Sequence, residues 1–327
     1  MPYLKYIVLI FISVLNLACQ SQAKQHMGPN EKKFKDIPNT IITYKKNDGY
    51  AYYLSSNRSH FEAMEIYINN IPFKKYYNGD NSAVMHPIND YILQSGTQTV
   101  RIKYISESGM PFRVDFSSSM DIMTLKIGQE FSLGKRHTIY ETPTITNRDN
   151  PDYQDFAGTG LMVFEDQFTF DAEVPYHFTG WTESQDLTKL KPELLEKKIV
   201  STYQNIIDIL KQKDRETLYG MFYQSEFEKT QSKYYKQELF NKFSVKGFDF
   251  VLEDPSVKFY PLENYEVKIY GGGKVVALES TTDKGESAIR FDATVTDRRT
   301  GDKFEVISNM KVYCHMPEGS NTLVPIR

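Results

Sequence analysis

Cysteine is nearly absent from this sequence: Cys19 and Cys314 are the only two among 327 residues. That scarcity excludes a multi-disulfide framework and a cysteine-based zinc site. Excess positive charge is missing too. With 39 Lys and Arg against 42 Asp and Glu, the net charge is −3, so the chain lacks the electrostatic footprint of phosphate-backbone binding, and no nucleic-acid partner is expected. No helix-length membrane span is visible either. The apolar run Tyr6–Leu15 (YIVLIFISVL) falls well short of the roughly 20 residues a bilayer requires.

What remains is the composition of a folded, strand-rich chain. A hydrophobic fraction of 40% with 25% charged residues is not that of a disordered polymer. At roughly 150 residues per domain, the length predicts two domains. Aromatics reach 14%, with 23 Tyr and 21 Phe against one Trp, and such residues suit pleated, half-buried surfaces.

Residues 1–18 follow a signal-peptide plan: Lys5, then the apolar run, then Asn16-Leu17-Ala18 before Cys19. The small Ala18 before a cysteine, followed by the polar tract Gln20–Gln25, resembles the lipobox of bacterial lipoproteins. The resemblance implies that Cys19 becomes the lipidated first residue of the mature chain. Gln20 after that cysteine, where Asp would signal retention in the inner membrane, implies the outer membrane. Ordinary secretory cleavage after Ala18 or Ala23, with a periplasmic product, is the alternative. An attached diacylglycerol plus an amide-linked chain would suffice for stable anchoring. Residues 19–40 are polar, include Gly28-Pro29-Asn30, Lys32, Lys33 and Lys35, and are expected to form a flexible tether.

Over residues 41–180 short runs rich in Tyr, Ile, Val and Phe recur between turns, which predicts strands. Glu65–Asn69, Thr99–Ile105, Phe112–Phe116, Met123–Ile127 and Gln167–Phe170 are the clearest. Evenly spaced short strands predict an antiparallel β-sandwich. The segment Ile66–Ile105, with Tyr67-Ile68-Asn69-Asn70 and then Asn89–Gly96, resembles the jelly-roll pattern of galactose-binding-like accessory modules. Such a resemblance implies glycan binding, to be expected as exposed aromatics in a shallow groove.

From Asp149 to Asp186 there are nine carboxylates and no Lys or Arg. Asp149, Asp152 and Asp155 offer hard oxygen ligands on a Pro-containing loop, as calcium requires. They lack the EF-hand spacing. The simpler readings are a solvated acidic loop or a face for a basic protein partner.

The texture changes after residue 186. Lys191-Pro192-Glu193 opens a helix whose apolar residues recur at helical spacing from Leu194 to Leu210. Further helices are predicted from Asp214 and over Glu226–Phe243. Strands are predicted at Phe248–Leu252, Tyr265–Tyr270, Lys274–Glu279, Ala288–Thr296 and Lys303–Tyr313, with turns at Gly271-Gly272-Gly273 and Asp297–Asp302. Helices followed by an antiparallel meander make residues 187–327 an α+β domain. It resembles the NTF2-like or cystatin-like class, whose sheet wraps a helix. Tyr203, Tyr219, Phe222, Phe250 and Tyr270 would line its pocket or form ordinary core.

No catalytic constellation emerges. The histidines form no H-E-x-x-H pair, and no G-x-S-x-G elbow occurs. Ser132-Leu133-Gly134-Lys135 lacks the helix that an S-x-x-K nucleophile needs. Gly271-Gly272-Gly273-Lys274 lacks P-loop spacing. Cys314 and His315 are adjacent in a strand pattern, so they point to opposite faces and predict an inert thiol. The expectation is a non-enzymatic envelope lipoprotein without a cofactor, acting as a protein-binding module, one form being an immunity-type protein that occludes a secreted toxin. A carbohydrate- or cell-wall-binding protein is the first alternative. A hydrolase with carboxylates assembled only in three dimensions is the second.

Overall fold

The computed structural model describes residues 27–42, 49–58, 62–77, 85–297 and 299–327. The segment expected to be a signal peptide, and Cys19, lie outside the described residues. The chain is an α+β protein built on antiparallel sheets.

Two short helices come first, α1 (Pro29–Lys35) and α2 (Ile37–Thr40). They correct the expectation of a flexible tether over 19–40 for its second half. Phe34 and Ile37 are fully buried, and the Phe34 ring lies 4.4 Å from that of Tyr219. Glu216 accepts the backbone N–H groups of Asn30 and Glu31 at 2.7 and 3.1 Å, satisfying donors that the start of α1 leaves open. The polar composition describes the outer face of these helices and conceals two apolar anchors.

Ten strands follow: β1 (Tyr50–Arg58), β2 (Ala63–Ile68), β3 (Ile71–Tyr76), β4 (His86–Pro87), β5 (Gly96–Ile105), β6 (Ser118–Lys126), β7 (Lys135–Glu141), β8 (Thr144–Thr146), β9 (Gln154–Phe156) and β10 (Val163–Ala172). One sheet has the order β4-β1-β6-β7, a second β10-β5-β2-β3, and β8 pairs with β9. Period-two patterning sets the faces. On β5, Val100, Ile102 and Tyr104 are buried while Arg101 and Lys103 point the other way. A single hydrophobic cluster joins Tyr52, Leu54 and Ile122 of the first sheet to Ile66, Val100 and Ile102 of the second. The β2–β3 hairpin turns on Asn69 and Asn70, both at positive φ, which Asn tolerates better than most residues.

Residues 112–116 form no strand, contrary to their pattern. Their backbone is held at isolated points, Phe112 N–H to Leu161 and Phe156 N–H to Val114, and Phe112 and Phe116 plug the core beside Phe156. Aromatic content there serves packing rather than a ladder.

Four further helices are α3 (Pro192–Gln212), α4 (Arg215–Ser232), α5 (Gln237–Phe240) and α6 (Lys246–Glu253). Asp214 caps α4 by accepting from the Thr217 N–H and hydroxyl at 3.0 and 2.6 Å. The helix then runs unbroken to Ser232, so the expected break before Glu226 falls instead at Lys233–Lys236, where Tyr234 has φ +56°. The expected strand Phe248–Leu252 is α6. Phe-Asp-Phe alternates locally, but the buried residues Val245, Phe248 and Leu252 keep helical spacing, and the longer pattern wins.

The remaining strands are β11 (Lys258–Phe259), β12 (Tyr265–Tyr270), β13 (Val275–Ser280), β14 (Arg290–Thr296), β15 (Lys303–Asn309), β16 (Cys314–His315) and β17 (Val324–Pro325), in sheets ordered β12-β13-β16-β17 and β11-β14-β15. Gly271, Gly272 and Gly273 all have positive φ in the β12–β13 turn, which few side chains would permit.

Strand β13 explains how the halves are joined. Val275 and Ala277 belong to the core of the two N-terminal sheets, while Val276 and Leu278 belong to the helical core. The segment between the halves is also buried: Trp181, Ser184 and Leu187 are all covered. The chain therefore changes texture near 181–190 without a solvated linker there.

Candidate functional site

The core face of the first sheet changes chemistry along its strands. Leu54 pairs with Ile122 and Ile122 with His137; two residues on, Tyr52 pairs with Thr124 and Thr124 with Lys135; beyond them Tyr50 pairs with Lys126. The face thus passes from apolar to aromatic to basic. The β6–β7 register skips Ile139, a bulge that turns this residue into the same hollow. Phe170 and Asp171 of β10 and Gln129 and Leu133 from the turn after β6 complete a cleft of about 370 Å³.

Its floor is buried and its rim is not. Tyr52, Ile122 and Phe170 are buried, whereas Lys126, Lys135 and His137 are exposed. Among the described residues, none of these three basic side chains meets a carboxylate at ion-pair distance. The outward neighbour Arg136 differs: it donates to the Asp121 carboxylate, which also accepts from the Thr138 hydroxyl at 2.9 Å. Burial would raise the Asp121 pKa, but those hydrogen bonds outweigh it and hold the group below the usual carboxylate range. Asp171 accepts from the Thr97 hydroxyl at 2.7 Å. The Tyr52 oxygen accepts the Glu173 N–H at 2.7 Å, and burial pushes its phenol pKa up, so the hydroxyl keeps its proton at neutral pH.

A second cavity, about 230 Å³, lies between the halves and is lined by Lys74, Lys75, Lys229, Lys233, Lys311 and Arg327. Most of these cations hold the structure together. Lys75 meets Glu279 at 2.6 Å, Lys229 meets Glu226 at 3.0 Å, Lys233 meets Asp90 at 2.9 Å, Lys311 meets Glu286 at 3.2 Å, and Arg327 meets Glu228 at 2.8 Å.

The acidic segment loses much of its apparent asymmetry in space. Strand β10 pairs with β5, which sets Glu165 opposite Lys103 and within 3.4 Å of both Lys103 and Arg101. Asp166 accepts from the Tyr140 hydroxyl, and Asp186 caps a turn by accepting from Thr188. Asp155 is engaged by the Asn147 amide at 2.8 and 3.0 Å, while Asp149 and Asp152 remain exposed. Among the described residues, no three His, Cys, Asp or Glu side chains are grouped so as to hold a metal ion.

Cys314 is fully buried, and burial pushes its thiol pKa far above the ordinary value. His315 faces away from it, with Nδ1 2.7 Å from the buried Ser184 hydroxyl. Tyr203, Tyr219, Phe222 and Tyr270 are core residues, Tyr203 edging a cavity of only about 10 Å³, and Phe250 is half-buried on α6. Ser132–Lys135 forms a turn entering β7, and two of its members, Leu133 and Lys135, line the cleft.

Sequence reasoning singled out none of the cleft as a unit. Its side chains span Tyr50 to Asp171 and meet only once β1, β6 and β7 are paired; the alternation Tyr50-Tyr52-Leu54 is the one local signal. No family model matches the chain, and no curated protein or solved structure matches it.

Proposed function

We propose that this chain is a non-enzymatic binding protein of the bacterial cell envelope, lipid-anchored through Cys19 at the outer membrane, that takes carbohydrate in the cleft of the first sheet. In this reading the two N-terminal sheets form a jelly-roll-like β-sandwich, and residues 187–327 form an NTF2-like domain against it. The observation that carries the reading is the cleft. Half-buried Tyr50 at the edge of an apolar floor, with Thr124, Gln129 and Asp171 around it, offers ring stacking together with hydroxyl-pairing groups. Glycan binding ranks above a charge-steered protein partner because Glu165, Asp166 and Asp155 have partners within the fold.

A glycan panel with the mature chain tests the ligand. Binding to one saccharide class, weakened at least tenfold by Tyr50→Ala with the melting temperature unchanged, supports the proposal; an empty panel overturns it. Cys19→Ala tests the anchor, and retention of the variant in the membrane fraction would remove lipidation at that residue.

A further inference from the structure

We infer that the sugar recognised in this cleft is an acidic one, carrying a carboxylate or sulfate, with Lys126 and Lys135 receiving the anionic group. The inference rests on the carbohydrate reading and deepens it. Three observations lead there.

First, two basic groups converge. Lys126 follows Thr124 by two residues on β6, and Thr124 is the cross-strand partner of Lys135; His137 lies two residues beyond Lys135 on β7. Residues two apart on a strand share a face about 7 Å apart, so Lys126 and Lys135 border one patch at the cleft mouth, while His137 stands a step further along β7, beside Ile122. A single anionic substituent fits there.

Second, these cations are available. In the cavity between the halves, lysines are matched to carboxylates at 2.6–3.2 Å. At the cleft mouth no such partner stands among the described residues. A ligand anion would therefore gain the cations without displacing an internal ion pair.

Third, the gradient gives the ligand a direction. Tyr50, opposite Lys126 in the ladder and with the ammonium 6.0 Å from its ring centre, lies between the buried floor and the basic mouth. A pyranose ring has an apolar face that can pack on an aromatic ring, while a carboxylate at C6 projects from its edge. Stacked near Tyr50, such a ring directs its acid toward the lysines and its hydroxyls toward Gln129 and Asp171.

Titration calorimetry with matched oligosaccharides tests this: galacturonate against galactose tetramers, glucuronate against glucose tetramers, and a sulfated galactose tetramer as a third arm. One acidic member is expected to bind about tenfold more tightly than its neutral partner at low salt, from two exposed charge pairs. That advantage should vanish at high salt and in K126Q/K135Q. The sulfated arm separates a carboxylate requirement from a general anion requirement. Equal binding of acidic and neutral members would overturn this inference while leaving the carbohydrate reading intact. Binding of no saccharide, with dodecanoate taken up in the same cleft, would overturn both.

Discussion

The Lys75 ammonium lies 2.6 Å from the Glu279 carboxylate, joining β3 of the N-terminal half to β13 of the C-terminal half. Tyr270 supports the pair, its hydroxyl donating to Glu279 at 2.6 Å and accepting from Lys75 at 2.9 Å. Glu65 stands close behind, 3.9 Å from Lys75. Burial raises the Glu65 pKa, but the charge of Lys75 and the hydroxyls of Tyr67 and Tyr77 outweigh it and keep the carboxyl below its usual range.

Removing the cation would strand two buried carboxylates. Lys75→Met is therefore expected to cost about 3–5 kcal/mol, and Lys75→Met with Glu279→Met to recover part of that loss. Because Trp181 lies 5.2 Å from the Arg327 guanidinium in the same junction, its fluorescence reports separation of the halves. Urea unfolding followed by Trp181 fluorescence and by far-ultraviolet circular dichroism should coincide. Two separated transitions would mean that the halves are independent.

The helices before β1 invite the next test. Phe34 packs on Tyr219 and Phe240 at ring distances of 4.4 and 5.5 Å. Truncating a fully buried Phe leaves a cavity, so Phe34→Ala should lose about 3–5 kcal/mol in denaturant unfolding. A change under about 0.5 kcal/mol would restore residues 29–40 to a detachable tether.

How much was legible in the sequence follows from the range of each signal. β5 is readable because Val100, Ile102 and Tyr104 alternate with polar residues, and α3 because its apolar set recurs at helical spacing from Leu194 to Leu210. α6 was misread because its five-residue core window alternates like a strand. Phe34 and Ile37 were hidden because two apolar residues cannot set a period. The cleft was invisible for another reason: Tyr50, Lys126 and Lys135 become neighbours only through cross-strand register, which a single sequence does not encode locally. The acidic run misled in the opposite way, since Glu165 and Lys103 are distant in the chain yet opposed in the sheet.

That acidic loop predicts a graded mutational response. Asp149→Asn and Asp152→Asn alter exposed side chains and should shift stability by no more than about 0.5 kcal/mol. Asp155→Ala removes the acceptor of the Asn147 amide and should cost about 1 kcal/mol. Thermal melts in millimolar calcium and in EDTA should superimpose, because an ion held only by the folded state would raise the melting temperature. A calcium-dependent rise lost in Asp149→Asn would establish a metal site on this loop.

His315 makes stability depend on pH in a defined direction. Burial is the main influence and depresses its pKa below the ordinary histidine value of 6.5; Glu228 opposes that effect, and Arg327 adds to it. The folded state then binds fewer protons than the unfolded chain. Stability from this group is complete above the unfolded pKa of 6.5 and is lost as pH falls through the folded value, each unit of depression being worth about 1.4 kcal/mol. Protonation would also oblige Nδ1, 2.7 Å from the Ser184 hydroxyl, to act as donor. Unfolding free energies at pH 7.5, 6.5 and 5.5 should show wild type losing ground to His315→Gln as pH drops. The carboxylate contributions common to both proteins cancel in that difference. A gap between the two that stays constant across the series would show that His315 titrates alike in the folded and unfolded chains.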